Sequence, residues 1–171
     1  MSPTAAAVSP MIAELEQEAA ATLRMLERVP EDKLDWAPHP RSMTLGQLAY
    51  HVAGVCGDVS GFLELDGLDV DSADFTPTQP GSHAEIMGKF EEAQAAARRR
   101  LEALTDERAG QSWRLTRGDD ELFAIPKLAL ARTLICNHLY HHRGQLSVYL
   151  RLLDVPVPPT YGPSADENPF A

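Results

Sequence analysis

Cysteine is nearly absent. Cys56 and Cys136 are the only two in 171 residues, they lie far apart, and neither belongs to a CxxC pair. A disulfide framework is therefore excluded as the organising device, and a reducing cytoplasm is the expected compartment. Aromatic residues make up 6% of the chain and β-branched aliphatics are sparse, which argues against long strands. Basic residues are outnumbered: 15 Lys and Arg stand against 25 Asp and Glu, for a formal net charge of −10. A general nucleic-acid partner needs a basic face, so that class is disfavoured. The one basic cluster, Arg98–Arg99–Arg100, is flanked by glutamates and reads as a solvated helix face. No apolar run approaches the roughly 18 residues of a membrane span. The opening "MSPTAAAVSP" also lacks the basic and apolar regions of an export signal. No membrane partner is expected.

What is present is enough apolar surface for a core. The hydrophobic fraction is 44%, and the length suits one domain over residues 1–171, ending in a proline-rich tail from about 154. Four segments show helical spacing. The first runs from about Pro10 to Glu27 on Met11, Ile12, Leu15, Ala19, Leu23 and Leu26. The second starts near Thr44, where Thr44 and Gln47 match a capping box, and follows Leu45, Leu48, Val52, Val55, Val59 and Phe62. The third starts at Ser82 with a second such box, Ser82 and Glu85, and runs to about Leu104. The fourth opens at Pro126 and reaches about Leu153. Between the last two, residues 105–125 read as an excursion around a "RGDD" turn, with a short extended piece. The fold class expected is all-α, a four-helix bundle.

Three of the six histidines fall within "NHLYHHRGQ", residues 137–145. At about 100° per residue, the stripe of Ala131, Leu134, Ile135, Leu146, Tyr149 and Leu153 centres close to His142, with His138 slightly off it. His141 falls on the flank. The i, i+4 pair His138 and His142 thus stacks two imidazoles on one inward face, near enough to share a metal. His51 lies beside Leu48, Val52 and Val55 on the inward face of the second helix, so packed helices can bring it to the same place. Three neutral imidazoles suit a divalent transition metal such as Zn, Ni, Fe or Co. Three protein ligands leave positions open for water or substrate. Taken singly, an inward histidine is more often a hydrogen-bonded core residue, and that alternative stands for each of the three. Gln145 lies one turn along from the pair, and Tyr149 two turns, with a hydroxyl that needs a partner. Asn137 and Arg143 point elsewhere and read as structural or interface residues. Cys56 reads as a small core residue, Cys136 as a residue without a role on the outer side of its helix, opposite His138, and His39 and His83 as surface residues. Asp166 and Glu167 in the tail either close over the site or are solvated, the second being favoured.

The run "HHRGQLSVYLR", followed by a proline-rich segment and "YGPSADE", resembles the DinB-like (DinB/YfiT-like) family, as do "SMTLGQLAYHVAG" and "FAIPKLALARTLICNHLYHH". The resemblance spans the whole chain in order. It implies a four-helix bundle with a long crossover connection, a homodimer, and a metal held by His51, His138 and His142, with His141 outside the ligand set, either beside the ligands or against the neighbouring helix. Related members are thiol-dependent transferases that use bacillithiol or similar cofactors, and a mycothiol-dependent maleylpyruvate isomerase. The resemblance therefore implies a metal that binds and activates a low-molecular-weight thiol. Two function classes stay open: a metal-dependent hydrolase or thiol-dependent S-transferase acting on a small molecule, and a non-catalytic metal-binding or stress-response dimeric module. A third, a dimeric scaffold without metal, is separated from both by metal analysis.

Overall fold

Helices form where the apolar spacing places them. The computed structural model describes residues 5–170. In chain order it contains α1 (Ser9–Leu26), α2 (Leu45–Ser60), β1 (Gly67–Asp69), α3 (His83–Glu102), α4 (Asp106–Gly110), β2 (Ser112–Arg117), β3 (Asp120–Pro126), α5 (Lys127–Leu130) and α6 (His138–Leu152). A π-helical stretch, Ala131–Asn137, joins α5 to α6 without a break. The chain is mostly helical, and among the described residues no helix is long and apolar enough to cross a membrane.

The start of α2 is set by the expected capping box. Thr44 Oγ1 accepts from Gln47 N, and Gln47 Oε1 accepts from Thr44 N, both at 3.0 Å. At α3 only half the box forms. Ser82 Oγ accepts from Glu85 N, but the Glu85 carboxylate turns to Gly81 N, one residue upstream. Helix α2 is central. It packs on α3, on α6 and on the π stretch, and so buries residues nearly all around its circumference. It comes close to the α3 backbone at Gly57, where an added Cβ would lie 2.6 Å from Ala93 Cα and 2.8 Å from Ala93 Cβ. Because that obstacle includes backbone, Gly57→Ala is expected to destabilise by about 1–3 kcal/mol through overpacking. Gly88 on α3 has nothing within 4 Å of the same position. Gly88→Ala should stabilise by about 0.4–1 kcal/mol. Urea midpoints at unchanged slope check both.

The all-α expectation is corrected by a three-stranded sheet in the order β1-β2-β3. β1 pairs parallel with β2, and β2 pairs antiparallel with β3, with an irregularity between Leu115 and Thr116. The "RGDD" turn is the hairpin loop, and Gly118 supplies its left-handed backbone at φ 54°. Trp113 on β2 is buried between the rings of Phe62 and Phe123, which fastens the sheet to the helices. The strands are short and sit among polar residues, too short for alternation to stand out over the helical signal.

The last helical run also departs from expectation. In the π stretch the repeat is wider than in an α-helix, so residues upstream of His138 change phase relative to those downstream. Ile135 and Cys136, adjacent in sequence, are both fully buried, although Cys136 was placed on the outer side. Beyond the stretch, the core face of α6 is Leu139, Arg143, Leu146 and Leu150. His138 and His142 are therefore half-buried on the flank of that face, not at its centre.

Arg143 fills the polar gap in this core. It pairs with Glu18 of α1 at 2.5 Å and donates to Thr22 Oγ1 and Glu18 O at 3.2 Å and to Tyr161 Oη at 2.7 Å. Tyr161 belongs to the tail, which runs back over the helices. The chain reverses at Asp154, at φ 56°, where Val155 N donates to Leu150 O and Asp154 N to Arg151 O. Arg24 of α1 and Arg28, just beyond its end, then donate to Pro159 O and Pro156 O. Asp166 pairs with Arg151, and Glu167 with Arg28. Asp166 is exposed, in line with the solvated reading, while Glu167 is half-buried; each is held in an ion pair with an arginine outside the tail. The Arg98–Arg100 cluster is engaged as well: Arg98 pairs with Glu16 and Glu102, and Arg100 with Glu64.

Candidate metal centre

Helix α2 contributes His51, and α6 contributes His138 and His142 one turn apart. Ring centroids are 5.0 Å apart for His51 and His138, 4.5 Å for His51 and His142, and 4.6 Å for His138 and His142. One ring nitrogen from each residue lies within 4.8 Å of the others, and the Nε2 atoms of His51 and His138 are 3.3 Å apart. Three nitrogens this close can hold one metal ion.

The electrostatics suit ligation. Burial, then the neighbouring His142 and His138, push His51 down to about 4. Burial also lowers His138, with His142 and His141 adding to it. His142 is lowered by burial, partly offset by a hydrogen bond to Gln145. All three fall below the ordinary imidazole value, so each offers a neutral ring with a free lone pair at neutral pH. His138 Nδ1 is buried without a hydrogen-bond partner. A buried orphan on one of three converging imidazoles is unusual for a purely structural cluster, and the donor set fits a divalent transition metal.

The other expected site residues separate cleanly. His141 is exposed, with its ring 4.7 Å from that of His142, outside the ligand group. Gln145 is exposed and its Oε1 lies 2.7 Å from His142 Nδ1. The Tyr149 hydroxyl donates to Met43 O at 3.2 Å, and its ring meets Trp36 edge-on at 5.7 Å. Asn137 is exposed, and Arg143 is structural but lies on the core face, not off it as expected. Cys56 is buried in the core and burial pushes its thiol up to about 12, which leaves it inert. His39 is exposed as expected. His83 is not a plain surface residue: it is half-buried, with its ring nitrogen 2.9 Å from Leu26 O at the end of α1. Sequence reasoning missed Asp58, whose charge raises the His51 pKa and which pairs with Lys89 at 2.6 Å. Its separation of two turns from His51 on one helix was the available signal.

The family model of the DinB superfamily matches residues 14–146, a span that includes all three histidines. The chain belongs to the DinB superfamily. This DinB-superfamily chain is similar to the uncharacterised protein YrdA of Bacillus subtilis strain 168, with 27% identity over 152 residues, covering 89% of this chain and 86% of the relative. Among solved structures, it is similar to a DinB-like protein from Bacillus cereus ATCC 10987, at a TM-score of 0.65 and 25% identity over 87% of this chain and 94% of that one. The DinB-like protein YjoA of Bacillus subtilis matches at a TM-score of 0.65 and 19% identity, over 89% of this chain and 96% of that one, a likeness of fold.

Proposed function

We propose that His51, His138 and His142 hold a divalent transition metal such as Zn, Ni or Fe, and that the protein is a metal-dependent hydrolase or thiol-dependent S-transferase. The observation that carries this is the convergence of three neutral imidazoles, one from α2 and two from α6, on a half-buried flank. When bound, such a metal lowers the pKa of a coordinated water or thiol and makes it nucleophilic at neutral pH. The chain's own residues supply the rest. The three rings would hold the metal and leave room for a water or substrate, and the exposed His141 and Gln145 mark the side from which a small molecule would reach it. Tyr149 and Trp36, locked edge to face, continue the same side of α6 as an apolar wall.

A low-molecular-weight thiol such as bacillithiol or mycothiol is the co-substrate this reading favours, on the resemblance of the "HHRGQLSVYLR" run to thiol-dependent relatives. We further read the four long helical segments as a four-helix bundle with a long crossover, and the protein as a cytoplasmic homodimer without nucleic-acid partner. The buried free thiols and the net charge of −10 support the last two points, and light scattering tests the dimer.

The experiment is to load the purified protein with Zn or Ni and measure bound metal. It is then incubated with a panel of thiols and electrophiles, and products are identified by mass spectrometry. One equivalent of metal is expected. At a ligand concentration of 100 Kd it should stabilise the fold by about 2.7 kcal/mol. Turnover should need the metal. Metal well below one equivalent after loading overturns the site. Full loading with no turnover across the panel would favour the non-catalytic metal-binding module.

A further inference from the structure

An imidazole presents a lone pair on one nitrogen only when neutral, and something must decide which. For His142 the neighbour is Gln145, one turn along α6, whose Oε1 lies 2.7 Å from Nδ1. An amide oxygen accepts and never donates, so this bond requires the proton on Nδ1. The lone pair is then left on Nε2. We infer that Gln145 is a positioning residue that holds His142 as the Nδ1–H tautomer and so presents Nε2 to the cluster as its donor atom.

Among the described residues, His142 alone of the three has such a partner. His138 Nδ1 is buried with none, and the hydrogen-bond contact of His51 is to His138 itself. The ring that also touches a fourth imidazole, His141, is thus the one given an external reference. The spacing of three residues on a regular helix fixes Gln145 relative to His142 without help from tertiary packing. Gln145 is exposed, so replacing it disturbs no core contact. The inference rests on the metal reading for its consequence, affinity, but the tautomer is a property of the metal-free protein.

Two variants test it. Gln145→Leu removes the acceptor, and Gln145→Glu keeps an oxygen that can only accept. Nitrogen-15 NMR of the metal-free protein reads the His142 tautomer directly, and a competition titration with Zn reads affinity. Wild type is expected to be Nδ1–H at His142. Gln145→Leu should mix the tautomers and weaken Zn binding by roughly 10- to 100-fold, the usual effect of losing an outer hydrogen bond to a ligand. Gln145→Glu should keep the tautomer and bind at least as tightly as wild type. An unchanged tautomer in Gln145→Leu overturns the inference, as does a Gln145→Glu protein that behaves like Gln145→Leu. If wild type takes up no metal yet shows the pinned tautomer, the metal reading fails and the positioning role stands.

Discussion

His142→Ala is expected to abolish stoichiometric metal uptake, and His51→Ala and His138→Ala to do the same, while His141→Ala leaves uptake largely intact. The first three each remove one of the nitrogens that lie within 4.8 Å of one another. Losing one leaves two imidazoles, and the loss in affinity should exceed the roughly 10- to 100-fold that an outer-sphere change costs. His141 differs from His142 by one position but is exposed and outside the group, although its ring is 4.7 Å away. Elemental analysis after loading and desalting reads the result, and circular dichroism controls for folding. Half-buried imidazoles contribute little packing, so the metal-free variants should unfold within about 1 kcal/mol of wild type. A protein that loses its metal through His141→Ala alone would displace His142 from the site as drawn.

The second large effect lies away from the histidines. Glu18→Ala should destabilise the fold by about 3–5 kcal/mol, because it strands the Arg143 guanidinium in the core. The Arg143 side chain is 3% exposed and that of Glu18 13%, with 2.5 Å between them. Tyr161→Phe removes two hydrogen bonds from the same cluster, one accepted from Arg143 and one donated to Glu18, and should cost about 1–2 kcal/mol. Removing both charges at once is different in kind. Glu18→Leu with Arg143→Met leaves no unpaired ion and should recover most of the loss, since apolar replacement of a buried pair is often neutral. Urea denaturation of the single and double variants closes the cycle. If Glu18→Ala cost less than about 1 kcal/mol, Arg143 would have to reach solvent on losing its partner.

The contrast between these two sites marks what the residues disclose on their own. The i, i+4 spacing of His138 and His142 survives any rotation of the helix, so the pair was legible, and His51 was legible from its place beside Leu48 and Val52. The absolute phase of α6 was not. Three of the six residues used to set it, Ala131, Leu134 and Ile135, lie in the π stretch, and nothing in "ARTLICN" announces a wider turn. That hid Leu139 and Arg143 as core residues and sent Cys136 to the wrong side. The sheet was half legible: Gly118 in "RGDD" gave away the hairpin turn, but β1 lies in a segment whose pairing partner is more than forty positions away. Local patterning carries no record of such pairings. At α3, Glu85 found Gly81 N as an alternative donor, which a motif of fixed spacing cannot foresee.

The distance along the chain between His51 and His138, 87 positions, has a consequence for biosynthesis. Proteins are made from the N-terminal end at about 5–20 residues per second. The first histidine therefore waits several seconds for the other two. Until α6 has been made and has packed on α2, the chain offers single imidazoles and no chelate. A metal held by all three would thus load late, after folding of the last helix, and the growing polypeptide would not sequester the ion prematurely.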